Sequence, residues 1–263
     1  MNTENFMSEE THMDLLIFSG QSNMEGQTEG CPDDRTPVEG AIEYKYLQEK
    51  YTTLQHPAGE DIVPYFGGAC FGGGCMLPDF CRTYHRIRGV LTAAVHVALG
   101  ATRIDQWLPE TEQYGMVLKK CRAAIAAAPE AIEHIYFIWL QGESDAIAKR
   151  SSEEYFNMLT TLKNALKADL GIEKFGIIRV GYFAECYDNP VEDDLAIIEA
   201  QERAAAVDGD FLMLSRLTET ISRDPDFINP FERGHYNNRA FTMLGTDAAE
   251  TLARYANALA MKG

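Results

Sequence analysis

Short apolar runs recur along the chain, and helical periodicities fall between them. Residues 14–18 form an apolar run that ends in Ser19-Gly20, which predicts a buried strand. Residues 90–99, between Gly89 and Gly100, predict a second strand. A third, at 135–140, closes on Gln141-Gly142, a fourth spans 175–183, and a weaker fifth spans 211–214. Ser151-x-x-Glu154 is a capping-box signature. It opens a helix on which Tyr155, Leu159, Leu162, Leu166 and Leu170 recur at three- and four-residue spacing, and Gly171 suits its end. Phe241, Leu244, Ala248, Leu252, Tyr255 and Leu259 mark a last helix in the same way. Segments 78–88, 111–128 and 192–206 are also predicted as helices.

Apolar strands alternating with helices imply an α/β fold, with a parallel sheet covered on both faces. No repeat, low-complexity linker or break in composition divides residues 1–263, so one domain is expected. Residues 26–75 are rich in Gly, Pro, Thr and Asp and read as a long irregular insertion, a kind of segment that is usually functional.

Composition narrows the partners. The chain is 46% hydrophobic and 24% charged, which excludes a disordered or collagen-like chain. Its 23 basic and 40 acidic residues give a net charge of −17. Such a surface repels phosphate backbones and anionic lipid, so neither nucleic acid nor membrane is expected as a partner. No run has the length of a membrane span and the polar start lacks a signal-peptide pattern, so a cytoplasmic location is expected. Cys31, Cys70, Cys75, Cys81, Cys121 and Cys186 include no Cys-x-x-Cys and no Cys/His pair at metal spacing, and they read as free thiols.

In an open parallel sheet, sites collect beyond the carboxyl ends of the strands. Ser19-Gly-Gln-Ser22-Asn-Met follows the first strand, and Ser22 is the candidate nucleophile; the plain alternative is a polar turn. A serine needs a base and a set of oxyanion donors. Of the six histidines, His12, His56, His85, His96 and His134 fall in the N-terminus, the insertion, a helix, a strand interior and the opposite rim. Only His235 stands in a loop just before the last helix. Glu232 is its nearest upstream acid and Asp226 the next. Gln141 offers a side-chain amide to the oxyanion. The nearby Glu143 and Asp145 lack the clustered histidine that a metal site would want.

Three blocks, taken in order, carry a resemblance. They are Ile17-Phe-Ser-Gly-Gln-Ser22-Asn-Met, Trp139-Leu-Gln141-Gly-Glu143-Ser-Asp145 and the late Gly234-His235. Together with Gly100-Ala-Thr-Arg103-Ile-Asp105-Gln-Trp107, the chain resembles the SGNH (GDSL-like) hydrolases, in the sialate O-acetylesterase and acetylxylan esterase branch. The resemblance implies a three-layer αβα sandwich, flavodoxin-like, with a five-stranded parallel sheet. It implies a serine esterase that removes acetyl groups from carbohydrate with no metal or other cofactor. It makes Ser22 the nucleophile and His235 the base, with Glu232 standing where the family usually has Asp. A histidine held by a backbone carbonyl, acting in a dyad, is the alternative. The implied oxyanion donors are Ser22, Gln141 and a glycine of a second block, aligned at Gly74 or one residue on at Cys75. Met24 breaks the Gly-x-Ser-x-Gly elbow of α/β-hydrolases.

The expected partner is therefore a small acetylated carbohydrate, of the sialic acid or xylo-oligosaccharide type. Arg103, Asp105, Trp107 and Glu143 are the candidate sugar contacts. A non-catalytic carbohydrate-binding relative and a hydrolase of another acyl ester are the competing readings.

Overall fold

The computed structural model describes residues 12–59 and 73–261. A single sheet runs through it in the order β3-β2-β4-β1-β5-β6-β7. These strands are β1 (His12–Gly20), β2 (Ala41–Lys45), β3 (Lys50–Thr53), β4 (Leu91–Ala98), β5 (Ala131–Leu140), β6 (Lys174–Ile178) and β7 (Phe211–Ser215). The run β4-β1-β5-β6-β7 is wholly parallel and corresponds to the five expected strands. The sheet has seven strands rather than five. The extra pair is an antiparallel hairpin inside the expected irregular insertion, with Tyr44 opposite Tyr51, and β2 adds to the edge of β4 in parallel. The hairpin escapes the sequence pattern because its strands are short and only half apolar, as in Ala-Ile-Glu-Tyr-Lys. Residues 60–72 of the expected insertion, with Cys70, lie outside the described residues.

β1 is buried from Met13 through Gly20 because both neighbours and both faces are covered. Helices Leu77–Arg88, Glu112–Ala126, Ser152–Leu170, Val191–Val207 and Asn238–Ala260 supply that cover and lie close to their expected ranges. The capping box forms as the sequence predicts: Glu154 N–H donates to Ser151 Oγ, and Ser151 N–H donates to the Glu154 carboxylate. The fourth strand ends at Ile178, well short of residue 183, and the chain continues as an irregular segment into the 3-10 turn Ala184–Tyr187. Among the described residues, no helix is long and apolar enough to cross a membrane. Cys31, Cys75, Cys81, Cys121 and Cys186 are free thiols.

The core is aromatic at its centre. Trp139 of β5 meets Trp107 edge-on at 5.5 Å and packs on Phe137 and Phe175. The strand ends of β1, β4, β5 and β6 therefore open on one rim, where the loops that follow them meet.

Candidate active site

The site begins with a turn that only glycine permits. At the end of β1, Gly20 has φ +152°, and a Cβ there would lie 1.9 Å from the carbonyl oxygen of Leu140. The chain presses against the end of β5 and then enters the short helix α1 (Ser22–Glu25). Ser22 is the first residue of that helix, so its N–H has no intrahelical partner.

His235 arrives from the other end of the chain. Its Nε2 lies 2.8 Å from Ser22 Oγ, and both residues are buried. The loop that carries it is held at two points. Tyr236 N–H donates to Asn23 Oδ1 at 3.2 Å, and Asn229 Nδ2 donates to the Gln27 carbonyl at 2.9 Å. The adjoining helix starts on Asn237, whose side chain accepts from Ala240 N–H.

His235 Nδ1 lies 3.0 Å from the carbonyl oxygen of Arg233. A carbonyl only accepts, so Nδ1 carries the proton and Nε2 presents its lone pair to the serine hydroxyl. Burial pushes the imidazole below its ordinary value of 6.5, while the Arg233 carbonyl and the Glu232 charge oppose the shift. The ring also meets Phe183 edge-on at 5.4 Å.

A cavity of about 390 Å³ opens over this pair, lined by Gln21, Ser22, Gln27, Gly100, Ala101, Ser144, Ile147, Phe183, Tyr187 and His235. A larger, more open depression of about 700 Å³ lies beyond Tyr182 and Cys186. It brings no nucleophile and base together, and burial pushes the Cys186 thiol above its ordinary value.

Several expected site residues are placed elsewhere. Glu232 is exposed, and among the described residues its carboxylate makes no hydrogen bond; a backbone carbonyl takes the place beside His235. Asp226 sits in the 3-10 turn Pro225–Phe227, where its carbonyl accepts from Asn237. Gly74 does not line the cavity, because its N–H donates to Thr28 Oγ1 at 2.6 Å. Cys75 is buried against the Ala58 carbonyl.

Gln141 is fully buried and also does not line the cavity. Its amide donates to the Thr102 carbonyl and to Asp145 Oδ2, and its Oε1 accepts from Tyr155. None of the four expected sugar contacts lines the cavity either. Trp107 is core, with its Nε1 donating to Thr102 Oγ1. Arg103 and Asp105 stand on the surface, with Asp105 paired to Arg150.

Glu143 is buried and accepts from Asn23 Nδ2 at 2.9 Å. Burial and the charges of Asp145 and Asp194 push its carboxyl up to about 7, against the pull of Asn23. The Gln141-to-Asp145 block is therefore a brace. Glu143 orients the amide that holds Tyr236, and Asp145 Oδ2 accepts from Ile104 N–H in the loop after β4.

Eight of the ten lining residues go beyond the sequence reading, and Gly100 and Gln21 are the ones beside Ser22. Gly100 follows β4, and a Cβ on it would lie 3.5 Å from Ser22 Cβ. Gln21 lines the cavity with its Oε1 fixed by Ser144 N–H and Gln141 Nε2, which leaves its amide NH₂ as the free end. The sequence holds a signal for Gly100, since the glycine ends a predicted strand on the same rim as Ser22.

Among the described residues, the one His/Asp/Glu group with ligand atoms within 4.8 Å is Asp14, Glu133 and His134. It lies at the opposite ends of β1 and β5, and Arg88 is paired with both carboxylates.

Residues 12–253 match the family described as carbohydrate esterase, sialic acid-specific acetylesterase, and the chain belongs to that family. No curated protein matches it. Among solved structures, a protein from Arabidopsis thaliana superposes with a TM-score of 0.69 at 18% identity, over 90% of this chain and 96% of that one. A lipase/acylhydrolase from Enterococcus faecalis gives 0.56 at 10% identity, over 93% and 96%. A carbohydrate acetylesterase from Xanthomonas citri gives 0.52 at 13% identity, over 90% of this chain and 56% of that one. These likenesses are of fold.

Proposed function

We propose that the protein is a serine O-acetylesterase acting on acetylated carbohydrate, of the sialic acid or xylo-oligosaccharide type. The observation that carries this reading is the 2.8 Å contact between Ser22 Oγ and the unprotonated Nε2 of His235 at the floor of a cavity. Ser22 Oγ attacks the acetyl carbonyl carbon as His235 Nε2 takes its proton. The carbonyl oxygen becomes an oxyanion facing the N–H groups of Ser22 and Gly100 and the amide of Gln21. His235 then protonates the departing sugar oxygen, leaving an acetyl-enzyme. Water, activated by the same nitrogen, attacks that ester and releases acetate. His235, oriented by the Arg233 carbonyl, forms a dyad with Ser22, and among the described residues no carboxylate is bonded to the histidine.

The test is hydrolysis of p-nitrophenyl acetate, an acetylated xyloside and an O-acetyl sialic acid by wild type and Ser22→Ala. Wild type hydrolyses acetyl esters and Ser22→Ala does not. An inactive wild type, or activity that survives the substitution, overturns the reading.

A further inference from the structure

The cavity must hold the sugar by residues other than the expected contacts, which lie elsewhere. Most large apolar side chains of this protein are buried, so those left exposed at the cavity are informative. Tyr187 is 41% exposed and Ile147 38% exposed, and both line it.

Tyr187 is also fixed. Its ring lies against Phe183 at 5.2 Å, and its hydroxyl donates to the Arg233 carbonyl at 3.1 Å. The 3-10 turn that presents it is anchored by Asp194, whose carboxylate accepts from the N–H groups of Phe183, Ala184 and Glu185. A ring held by its neighbour, at its hydroxyl and through its backbone presents a face to the cavity at little cost in side-chain entropy on binding. Among the described residues no lysine or arginine lines the cavity, so the surface suits an uncharged, flat, partly apolar group. The C–H face of a pyranose ring is such a group, and a cavity of about 390 Å³ accommodates one sugar ring with its acetyl group.

We propose that Tyr187 is the specificity-determining residue, the platform on which the pyranose ring of the acetylated sugar lies while its acetyl group meets Ser22. This rests on the esterase reading above and goes beyond it in naming what recognises the sugar. The Tyr187 hydroxyl acts separately from the ring. It is the second donor on the carbonyl that orients His235, and it fixes the ring.

The experiment compares wild type, Tyr187→Ala and Tyr187→Phe on an acetylated xyloside, p-nitrophenyl acetate and p-nitrophenyl butyrate, with thermal melts as a folding control. For Tyr187→Ala, KM for the xyloside rises about tenfold, the worth of one aromatic contact, while kcat stays within about threefold. On p-nitrophenyl acetate, which carries no pyranose ring, its kcat/KM falls less than on the xyloside. Tyr187→Phe keeps the ring and keeps the xyloside KM within about threefold.

The proposal is overturned if Tyr187→Ala leaves the xyloside KM unchanged. It is equally overturned if kcat falls alike on all three esters, or if the butyrate suffers most, which would make the wall an acyl-chain surface. If Tyr187→Ala does not fold, Tyr187→Leu replaces it with the same expectations. A wild type inactive on every ester overturns the esterase reading and this inference with it, whereas an active wild type with an unmoved KM overturns this inference alone.

Discussion

His235 Nδ1 donates its proton to the backbone carbonyl of Arg233, two residues away, across 3.0 Å. The carbonyl sets the tautomer as a carboxylate would, but it carries no full charge with which to stabilise an imidazolium. Removing a nearby carboxylate should therefore matter little. Glu232→Ala and Asp226→Ala are each expected to keep kcat/KM on p-nitrophenyl acetate within about threefold, whereas His235→Ala loses about three orders of magnitude or more. A loss above about thirtyfold in Glu232→Ala would mean that the carboxylate swings in behind the histidine during turnover.

The same environment sets a pH dependence. Burial lowers the His235 ionisation below 6.5, so the neutral, basic form persists to lower pH than in a free histidine. The acid limb of kcat/KM is expected to have its midpoint below 6.5, with activity lost as pH falls through it. A midpoint above 7 would require a carboxylate partner and would contradict the dyad.

Much of this site is legible in the sequence because strand ends in a parallel sheet share a rim. Ser22 and His235 pair across 213 positions on that ground. What the sequence does not convey is side-chain direction. Gln141 follows β5 as expected, yet its amide finds Asp145, Thr102 and Tyr155 inside the protein and turns away from the cavity. Trp107 ends a loop on the correct rim, but Trp139 and Thr102 draw its ring into the core. Gly74 aligns through a glycine run, whereas the sheet order puts Gly100, just after β4, beside Ser22. The hairpin of β2 and β3 leaves little trace because four- and five-residue strands carry too little periodicity.

Gly100 leads to a steric prediction. A Cβ there would lie 2.8 Å from Glu25 Oε2 and 3.0 Å from Gln27 Nε2, and these two side chains are bonded to each other at 2.6 Å. Both atoms are the far ends of flexible side chains, so they give way by breaking that contact while the backbone beside Ser22 stays. Gly100→Ala keeps its backbone N–H and is expected to keep kcat within about tenfold, with a cooperative thermal transition retained. A fall of about 100-fold, the scale of a lost oxyanion donor, would show that the backbone moves instead.

Trp107 should behave as a core residue. It is 1% exposed and packs edge-on against Trp139. Trp107→Ala is expected to cost about 3–5 kcal/mol in denaturant unfolding. The milder Trp107→Phe should lower the melting temperature while leaving KM for an acetylated xyloside unchanged. A raised KM with unchanged stability would return Trp107 to the substrate site.

Glu143 gives a stability prediction whose sign follows from its burial. Its ionisation moves from an ordinary 4.5 up to about 7 in the folded protein, because the carboxylate is enclosed with Asp145 and Asp194 nearby, against the pull of Asn23 Nδ2. A carboxyl with a raised value favours folding most where it is protonated in both states. The benefit is full below about 4.5, is lost as pH rises toward about 7, and is absent above that. Moving an ionisation from 4.5 to about 7 corresponds to about 3 kcal/mol, at 1.36 kcal/mol per pH unit. Glu143→Gln cannot ionise, and its side-chain oxygen can still accept from Asn23. Relative to wild type, the variant should therefore gain up to about 3 kcal/mol between pH 5 and pH 8. The burial that also raises Asp145 remains in both proteins, and removing the Glu143 charge relieves Asp145 and Asp194, which adds to the gain at high pH. Urea unfolding of both proteins across this range checks it. Parallel stability curves would show that Glu143 is ionised throughout, and that the brace between Asn23 and the His235 loop is a charged one.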